Sequence, residues 1–554
     1  MNQFAQQIYV NGRIATQDPS KPLVNSMAVG HGKILSVNTD EVKRITNNDT
    51  QVIDLQGYFV LPGLIDCHVH ALWGAKQDVF ECFVGYEADL QQLAHGVAHR
   101  VKTLSAGEWL TGGPWNLGHI ATIKQQGLTP RQWLDAISPV HPVCLYDTTK
   151  HSMLVNSVAL ETAHIAAQIP NFESGLIELD EHGALSGLLH EEASGAVRKF
   201  VTYTPEQMLR AGQYMVNRLH SYGITAIKEA MAFASELSTY QQLDKQGALN
   251  LHVFSHIARS SPLHPDAISL DDMRELQGKY RSTNHHPDGC KLFLDGVAPS
   301  RTAAFFDPYV PCCCVSEAAD KYDADQLLRI SPKELGEQIA ELDQAGFTVK
   351  MHAVGDRAVN AGLDGIAVAR NKATSGLLHE IAHTSFVTDS DFVRFKQLGA
   401  VAEVSPKIWF PTAITAAQIQ MLGEERTNRC HPIKTLLDND ALVTYGSDWP
   451  AAVPDADPWI GMAGMITREH PKGLYPGHVG YEQGIGLQQA LTIFTGNGAK
   501  AMRMSDQIGQ LKPGYQADFI VLNQHIDKIH PNAIADTQVL ATYFAGNCVY
   551  TKES

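Results

Sequence analysis

A chain of 554 residues is too long for one compact core of ordinary size, so a large barrel with appended or inserted modules fits better than a single small fold. At 44% hydrophobic and 18% charged residues, it has the balance of a soluble globular protein. Lys and Arg number 43 against 59 Asp and Glu, a formal charge of -16 with no basic run, so no phosphate-backbone binder and no nucleic-acid partner is expected.

The amino-terminal stretch MNQFAQQIYVNGRIATQDPSKP has no basic region followed by an apolar one and reads as a strand from Ile8 to Ile14 entering a Pro-containing turn. Residues 1–57 carry short strands with Asn-Gly and His-Gly-Lys turns, and 508–554 repeat that texture. One small β-sandwich built from 1–58 and 508–554 is therefore expected, flanking a barrel at 59–507. Eight short apolar segments read as strands: 60–67, 223–229, 249–256, 290–295, 347–352, 377–383, 400–405 and 441–447. Amphipathic helical stretches separate several of them. The clearest begins at Ser331, where Pro332 and Glu334 suggest a capping box and Leu335, Ile339 and Leu342 share a face. Such alternation predicts a parallel sheet, and eight units predict an α/β fold of the closed (β/α)8 TIM-like type. The first connection, about 150 residues, far exceeds a βα loop. An insertion at about 75–205 is expected after barrel strand 1, at the active end of the barrel.

No stretch approaches the roughly 18 apolar residues of a membrane span. Without a secretory signal, the nine cysteines are expected as free thiols in the cytoplasm. Cys312, Cys313 and Cys314 are adjacent, and three neighbours do not easily converge on one tetrahedral ion.

The chemistry starts at His68 and His70 in LPGLIDCHVHAL. Among 25 histidines about one His-x-His is expected by chance, so context decides. Alternate strand residues face one side, and these two stand at the carboxyl end of an apolar strand, where barrel sites are built. Four later strands also deliver a potential ligand: Lys291 in CKLFLDG, His352 after FTVKM, His383 closing GLLHEIAH, and Asp448 after ALVTYGS. Imidazole and carboxylate donors together suit zinc, iron, manganese or nickel rather than calcium.

Here the chain resembles the amidohydrolase superfamily, and within it amidohydrolase family 3, which includes N-substituted formamide deformylase-like proteins. The resemblance runs through IYVNGRIAT, VLPGLIDCHVH, GGPWN, HPVCLYDTTKHSMLVNSVAL, KLFLDGVAPSRTAAF, MHAVGDRAV, IAHTSFV, GSDWP and GQLKPGYQADFIVL. It implies two divalent metal ions, zinc first among the choices, with His68 and His70 on the more buried ion and His352 and His383 on the more exposed one. It also implies a carboxylated Lys291 bridging both, and Asp448 as ligand and catalytic proton shuttle. Lysine is otherwise expensive in an apolar strand unless neutral or paired, and a salt bridge from Lys291 to Asp295 or another carboxylate is the plain alternative. Trp115, His151 and Arg301 match family positions and are candidates for lining the pocket or binding substrate, although Trp115 as core and His151 as a structural hydrogen-bonder explain them equally well.

Three segments depart from the usual pattern: IKEAM after the second strand, EIA before His383, and VSPKIWF after the seventh strand. They are expected to alter pocket walls without touching a proposed ligand. The implied activity is hydrolysis of a non-peptide carbon–nitrogen bond in a small molecule. The competing readings are a mononuclear deaminase using His68, His70, His352 and Asp448, a lactone or ester hydrolase, and a non-enzymatic barrel, the last disfavoured by the complete ligand set. No membrane partner is expected, and the chain is compatible with a homo-oligomer.

Overall fold

The computed structural model describes residues 4–85, 88–105, 107–148, 152–165, 175–259, 268–311, 322–372 and 375–553. The chain divides into two compact units, one of Met1–Ala71 with Met215–Ser554 and one of Leu72–Tyr214.

The first unit holds eight strands in one parallel sheet that follows chain order: β1 (Leu64–Val69), β2 (Ile224–Ala232), β3 (His252–Ala258), β4 (His285–Phe293), β5 (Thr348–Ala353), β6 (Glu380–His383), β7 (Val401–Val404) and β8 (Leu442–Tyr445). β1, β2, β3, β6 and β7 are buried along their whole length, as strands covered on both faces require. The carboxyl end of β1 is tied to the segment that follows β8, Asp448 N–H donating to His68 O (2.7 Å) and His70 N–H to Trp449 O (2.9 Å). The sheet is thus a nearly closed barrel whose seam runs through candidate ligands.

The predicted segment 60–67 is two strands rather than one. Phe59–Pro62 pairs with Arg13–Ala15 and with Phe519–Leu522, outside the barrel, and β1 begins only at Leu64. Gly63 lies at the junction, where close packing admits no side chain: a Cβ there would lie 2.0 Å from Thr225 Oγ1. The helix Pro332–Gln344 forms as its pattern predicts, with Leu335, Ile339 and Leu342 buried. Ser331 Oγ accepts the Glu334 N–H (3.4 Å), but the Glu334 carboxylate accepts from Gln338 Nε2 (3.1 Å) instead of completing a capping box.

Both chain ends share a second structure. A four-stranded sheet uses Gln7–Val10, Met27–Gly30, Lys33–Ser36 and Gln51–Asp54, and a six-stranded sheet joins Arg13–Ala15, Leu23–Val24 and Phe59–Pro62 to Phe519–Leu522, Val539–Phe544 and Asn547–Thr551. Tyr9, Met27 and Val29 of one sheet pack with Ile14, Val60, Phe519 and Val521 of the other, so neither end can bury its apolar face alone. The second unit carries its own six-stranded sheet and a core containing Leu93, Leu110, Trp115, Ile123, Trp133 and Leu145. Among the described residues, no helix is long and apolar enough to cross a membrane.

Candidate functional site

At the carboxyl ends of the strands, β1 supplies His68 and, one residue past its end, His70, with ring centroids 5.6 Å apart. Asp448 follows β8 with φ 58°, a left-handed conformation uncommon for a non-glycine residue and frequent at functional sites. Its Oδ1 lies 3.4 Å from His68 Nε2 and 3.3 Å from His70 Nε2. One ligand atom from each of the three falls within 4.8 Å of the others, a group able to hold a metal ion.

The other proposed ligands meet the same group. His352 Nδ1 and His383 Nε2 are 2.9 Å apart, and the His383 ring lies 4.8 Å from that of His68. The far nitrogens are engaged, His352 Nε2–H donating to Gly296 O (3.1 Å) and His383 Nδ1 bonding Ser405 Oγ (2.9 Å). Lys291 on β4 is buried, its Nζ 5.0 Å above the Phe293 ring. Among the described residues, no carboxylate comes within 4.0 Å of that amine. The alternative salt bridge to Asp295 does not form, because Asp295 accepts backbone N–H groups of Ala304 (3.0 Å), Val354 (3.0 Å) and Gly355 (2.9 Å).

Burial sets the protonation states. It pushes the Lys291 amine down to about 8, helped by the charge of Lys350. Burial, and then the Lys291 charge, pull His352 down to about 3; burial also holds His68 and His383 well below the usual imidazole range. These imidazoles are therefore neutral at pH 7, the form that ligates a metal.

Sequence reasoning missed what lies behind the histidines. Glu403 on β7, fully buried, bonds His68 Nδ1. Glu229 on β2 places Oε1 3.8 Å from His70 Nδ1, while its Oε2 accepts from Tyr240 OH (2.6 Å) and Ala71 N–H (3.1 Å). The expectation that the three departing segments touch no ligand is thus corrected: Glu229 of IKEAM approaches His70, and Ser405 of VSPKIWF bonds His383. Below them Lys350 Nζ contacts Glu380 Oε2 (2.8 Å), Glu403 Oε2 (3.3 Å) and Cys67 O (2.8 Å), and Lys228 pairs with Glu380. Burial raises Glu403 to about 7 against the pull of Lys350. These residues carried a signal, since each is a charge inside an apolar strand, the feature that marked Lys291.

Of the three pocket candidates, Trp115 and Arg301 have structural partners and His151 lies outside the described residues. Trp115 is buried in the core of the second unit and donates its indole N–H to Leu145 O (2.8 Å). Arg301 donates to Val310 O (3.0 Å) and lies 5.1 Å over the Tyr309 ring. His151 and the Cys312, Cys313, Cys314 run lie outside the described residues.

Compared with known proteins, residues 51–550 match the sequence model of the amidohydrolase family. The chain belongs to the amidohydrolase family. Curated relatives of this amidohydrolase include Protein LONG AFTER FAR-RED 3 of Arabidopsis thaliana, 28% identical over 98% of this chain and 91% of that one. Another is the N-substituted formamide deformylase of Arthrobacter pascens, 24% identical over 100% and 99%. The crystal structure of an uncharacterized metal-dependent hydrolase from Pyrococcus horikoshii OT3 shares the fold, with a TM-score of 0.76 at 22% identity, covering 95% of this chain and 99% of that one.

The seam of this amidohydrolase tolerates little added bulk. A Cβ on Gly446, between β8 and Asp448, would sit 2.4 Å from His68 Cβ and 3.0 Å from Glu403 Oε1. Gly446→Ala should destabilise the protein by about 1–3 kcal/mol through overpacking. Thermal melts read the loss, and a melting temperature equal to wild type would show that β1 and β8 can part without cost.

Proposed function

We propose that this amidohydrolase hydrolyses a carbon–nitrogen bond, other than a peptide bond, in a small molecule, using two divalent cations, zinc in first place with manganese, iron or nickel as alternatives. His68 and His70 would hold the more buried ion and His352 and His383 the more exposed one. Lys291, as a carbamate, would span both, and Asp448 would contact the buried ion. The donor set fits, since neutral imidazoles and carboxylates suit these metals. Glu403 occupies His68 Nδ1, while the buried His68 Nε2 has no hydrogen-bond partner among the described residues and faces Asp448.

Bound there, divalent cations would lower the pKa of a water and polarise a substrate carbonyl. The protein supplies the rest. Asp448, whose Oδ1 faces His68 and His70, would accept the proton of the attacking water and return it to the leaving nitrogen. The lowered basicity of Lys291 leaves more of its amine uncharged, the form that captures carbon dioxide. Carbamylation would turn a buried cation into a buried anion between cations. The N-substituted formamide deformylase relative supports an amide carbonyl as the target.

The observation that carries this reading is the convergence of neutral imidazoles, one carboxylate and an amine without a carboxylate partner among the described residues. A mononuclear deaminase has no use for that amine. Protein prepared without chelator should contain about two divalent ions per chain by elemental analysis. A stoichiometry fixed at one, unmoved by added metal and bicarbonate, favours the deaminase. Metal-loaded enzyme should turn over at least one member of a panel of N-acyl amino acids, formamides and cyclic amides. Turnover of lactones alone would move the bond from carbon–nitrogen to carbon–oxygen.

A further inference from the structure

Beneath the ligands, the barrel interior holds a chain of charges with no place in the proton transfers just described. It starts at Ala501 O, which accepts from Lys228 Nζ (2.9 Å), and continues through the Lys228–Glu380 pair to Lys350 and on to Glu403. Glu403 ends the chain on His68 Nδ1. All four charged side chains are fully buried, with two positive and two negative. His256 flanks the chain, its Nε2 3.4 Å from Glu380 Oε1 and its Nδ1–H donating to Glu229 O (3.0 Å).

Burying four charges is unfavourable unless each is paired, and apolar residues would fill this space with less penalty. The arrangement does one thing apolar residues cannot. An imidazole that donates its Nδ1 proton to a fixed carboxylate presents Nε2 as a lone pair in a fixed direction, which orients it for a metal. His68 Nε2 is so directed, toward Asp448 Oδ1 at 3.4 Å. Lys350 touches both Glu380 and Glu403, so it fixes the carboxylate that fixes the imidazole.

We propose that Glu403 is a positioning residue for His68, anchored by the charge-balanced chain Lys228–Glu380–Lys350, and that this buried layer sets the affinity of the inner metal position. The inference rests on the two-cation reading above.

The test is equilibrium dialysis of full-length protein against buffered free zinc, with thermal melts on the same preparations. Glu403→Asp keeps the buried charge but withdraws the oxygens from Nδ1. Glu403→Gln with Lys350→Met removes one charge of each sign, leaving Lys228 opposite Glu380. In each, one zinc should bind as in wild type and the other about 10–100-fold more weakly, the usual effect of losing such a partner, with melting temperatures near wild type. If the double variant fails to fold, the Glu403→Asp isotherm decides alone. A folded variant binding two zinc ions at wild-type affinity overturns the proposal, as does equal weakening of both ions with a fallen melting temperature, which would mean a structural role. Wild-type protein that takes up no zinc overturns the two-cation reading and this inference together, so the two failures are distinguishable.

Discussion

Asp448→Asn should keep most of its metal while kcat falls by about 10²–10⁴-fold, the usual worth of a positioned general base. Asparagine preserves the shape and one oxygen, but its amide does not accept a proton at neutral pH. The competing explanation is that Asp448 merely anchors the turn after β8. That turn is anchored through the main chain: Asp448 N–H donates to His68 O (2.7 Å) and Asp448 O accepts from Ala451 N–H (2.6 Å). Both bonds survive the substitution. What changes is the Oδ1 facing His68 Nε2 and His70 Nε2. The measurement is kcat on an identified substrate, with metal content and melting temperature from one preparation. Turnover near wild type with metal retained would sink the general-base role, and loss of stability without loss of turnover would favour the anchor.

The barrel was legible because its strands are short apolar runs separated by helical patterns, and because buried parallel strands leave little room for ambiguity. Where two strands ran together, as at 60–67, hydrophobicity could not see the break, which shows only in their different pairing partners. His68, His70, Lys291, His352, His383 and Asp448 stand out in the sequence as polar residues at or near the carboxyl ends of apolar strands, where barrel sites are built. Glu403 does not, although VAEV places a charge inside a fully buried strand. Sequence shows that such a charge needs a partner, but not which of the other strands supplies it. Lys228, Lys350 and Glu380 were hidden for the same reason. Lys350, Glu380 and Glu403 meet across neighbouring strands, and Lys228 on β2 reaches Glu380 on β6 only across the closed barrel, pairings that no single segment displays. At Trp115 a motif match cannot by itself tell a pocket wall from a core indole; the structure shows a buried indole that donates to Leu145 O.

Lys291 and Lys350 look alike in sequence, each a lysine inside an apolar strand, yet their removal should have opposite effects. Lys350 is paired with Glu380 and Glu403, and these carboxylates raise its basicity despite burial. Lys350→Met leaves them under-compensated in the interior and should destabilise the protein by about 3–5 kcal/mol. Lys291 has no carboxylate partner within 4.0 Å among the described residues, and burial lowers its basicity to about 8. A group whose folded pKa lies below its unfolded value opposes folding at lower pH, and the penalty is relieved as pH rises from about 8 toward the unfolded value of about 10.4. Metal-free Lys291→Met, which keeps most of the volume, should therefore melt at or above metal-free wild type at pH 7. A lysine retained against stability is retained for function. Lys291→Ala should accordingly lose at least about 10²-fold in metal affinity, since ligand loss exceeds the effect of losing an outer partner, and activity should fall with it. Acetate or bicarbonate should restore part of both by filling the bridging position, which no salt-bridge lysine would allow. The decisive comparison is zinc content and melting temperature of Lys291→Met, Lys291→Ala and Lys350→Met. Should Lys291→Met unfold as readily as Lys350→Met while zinc uptake stays intact, Lys291 is a structural cation and the carbamate bridge is wrong.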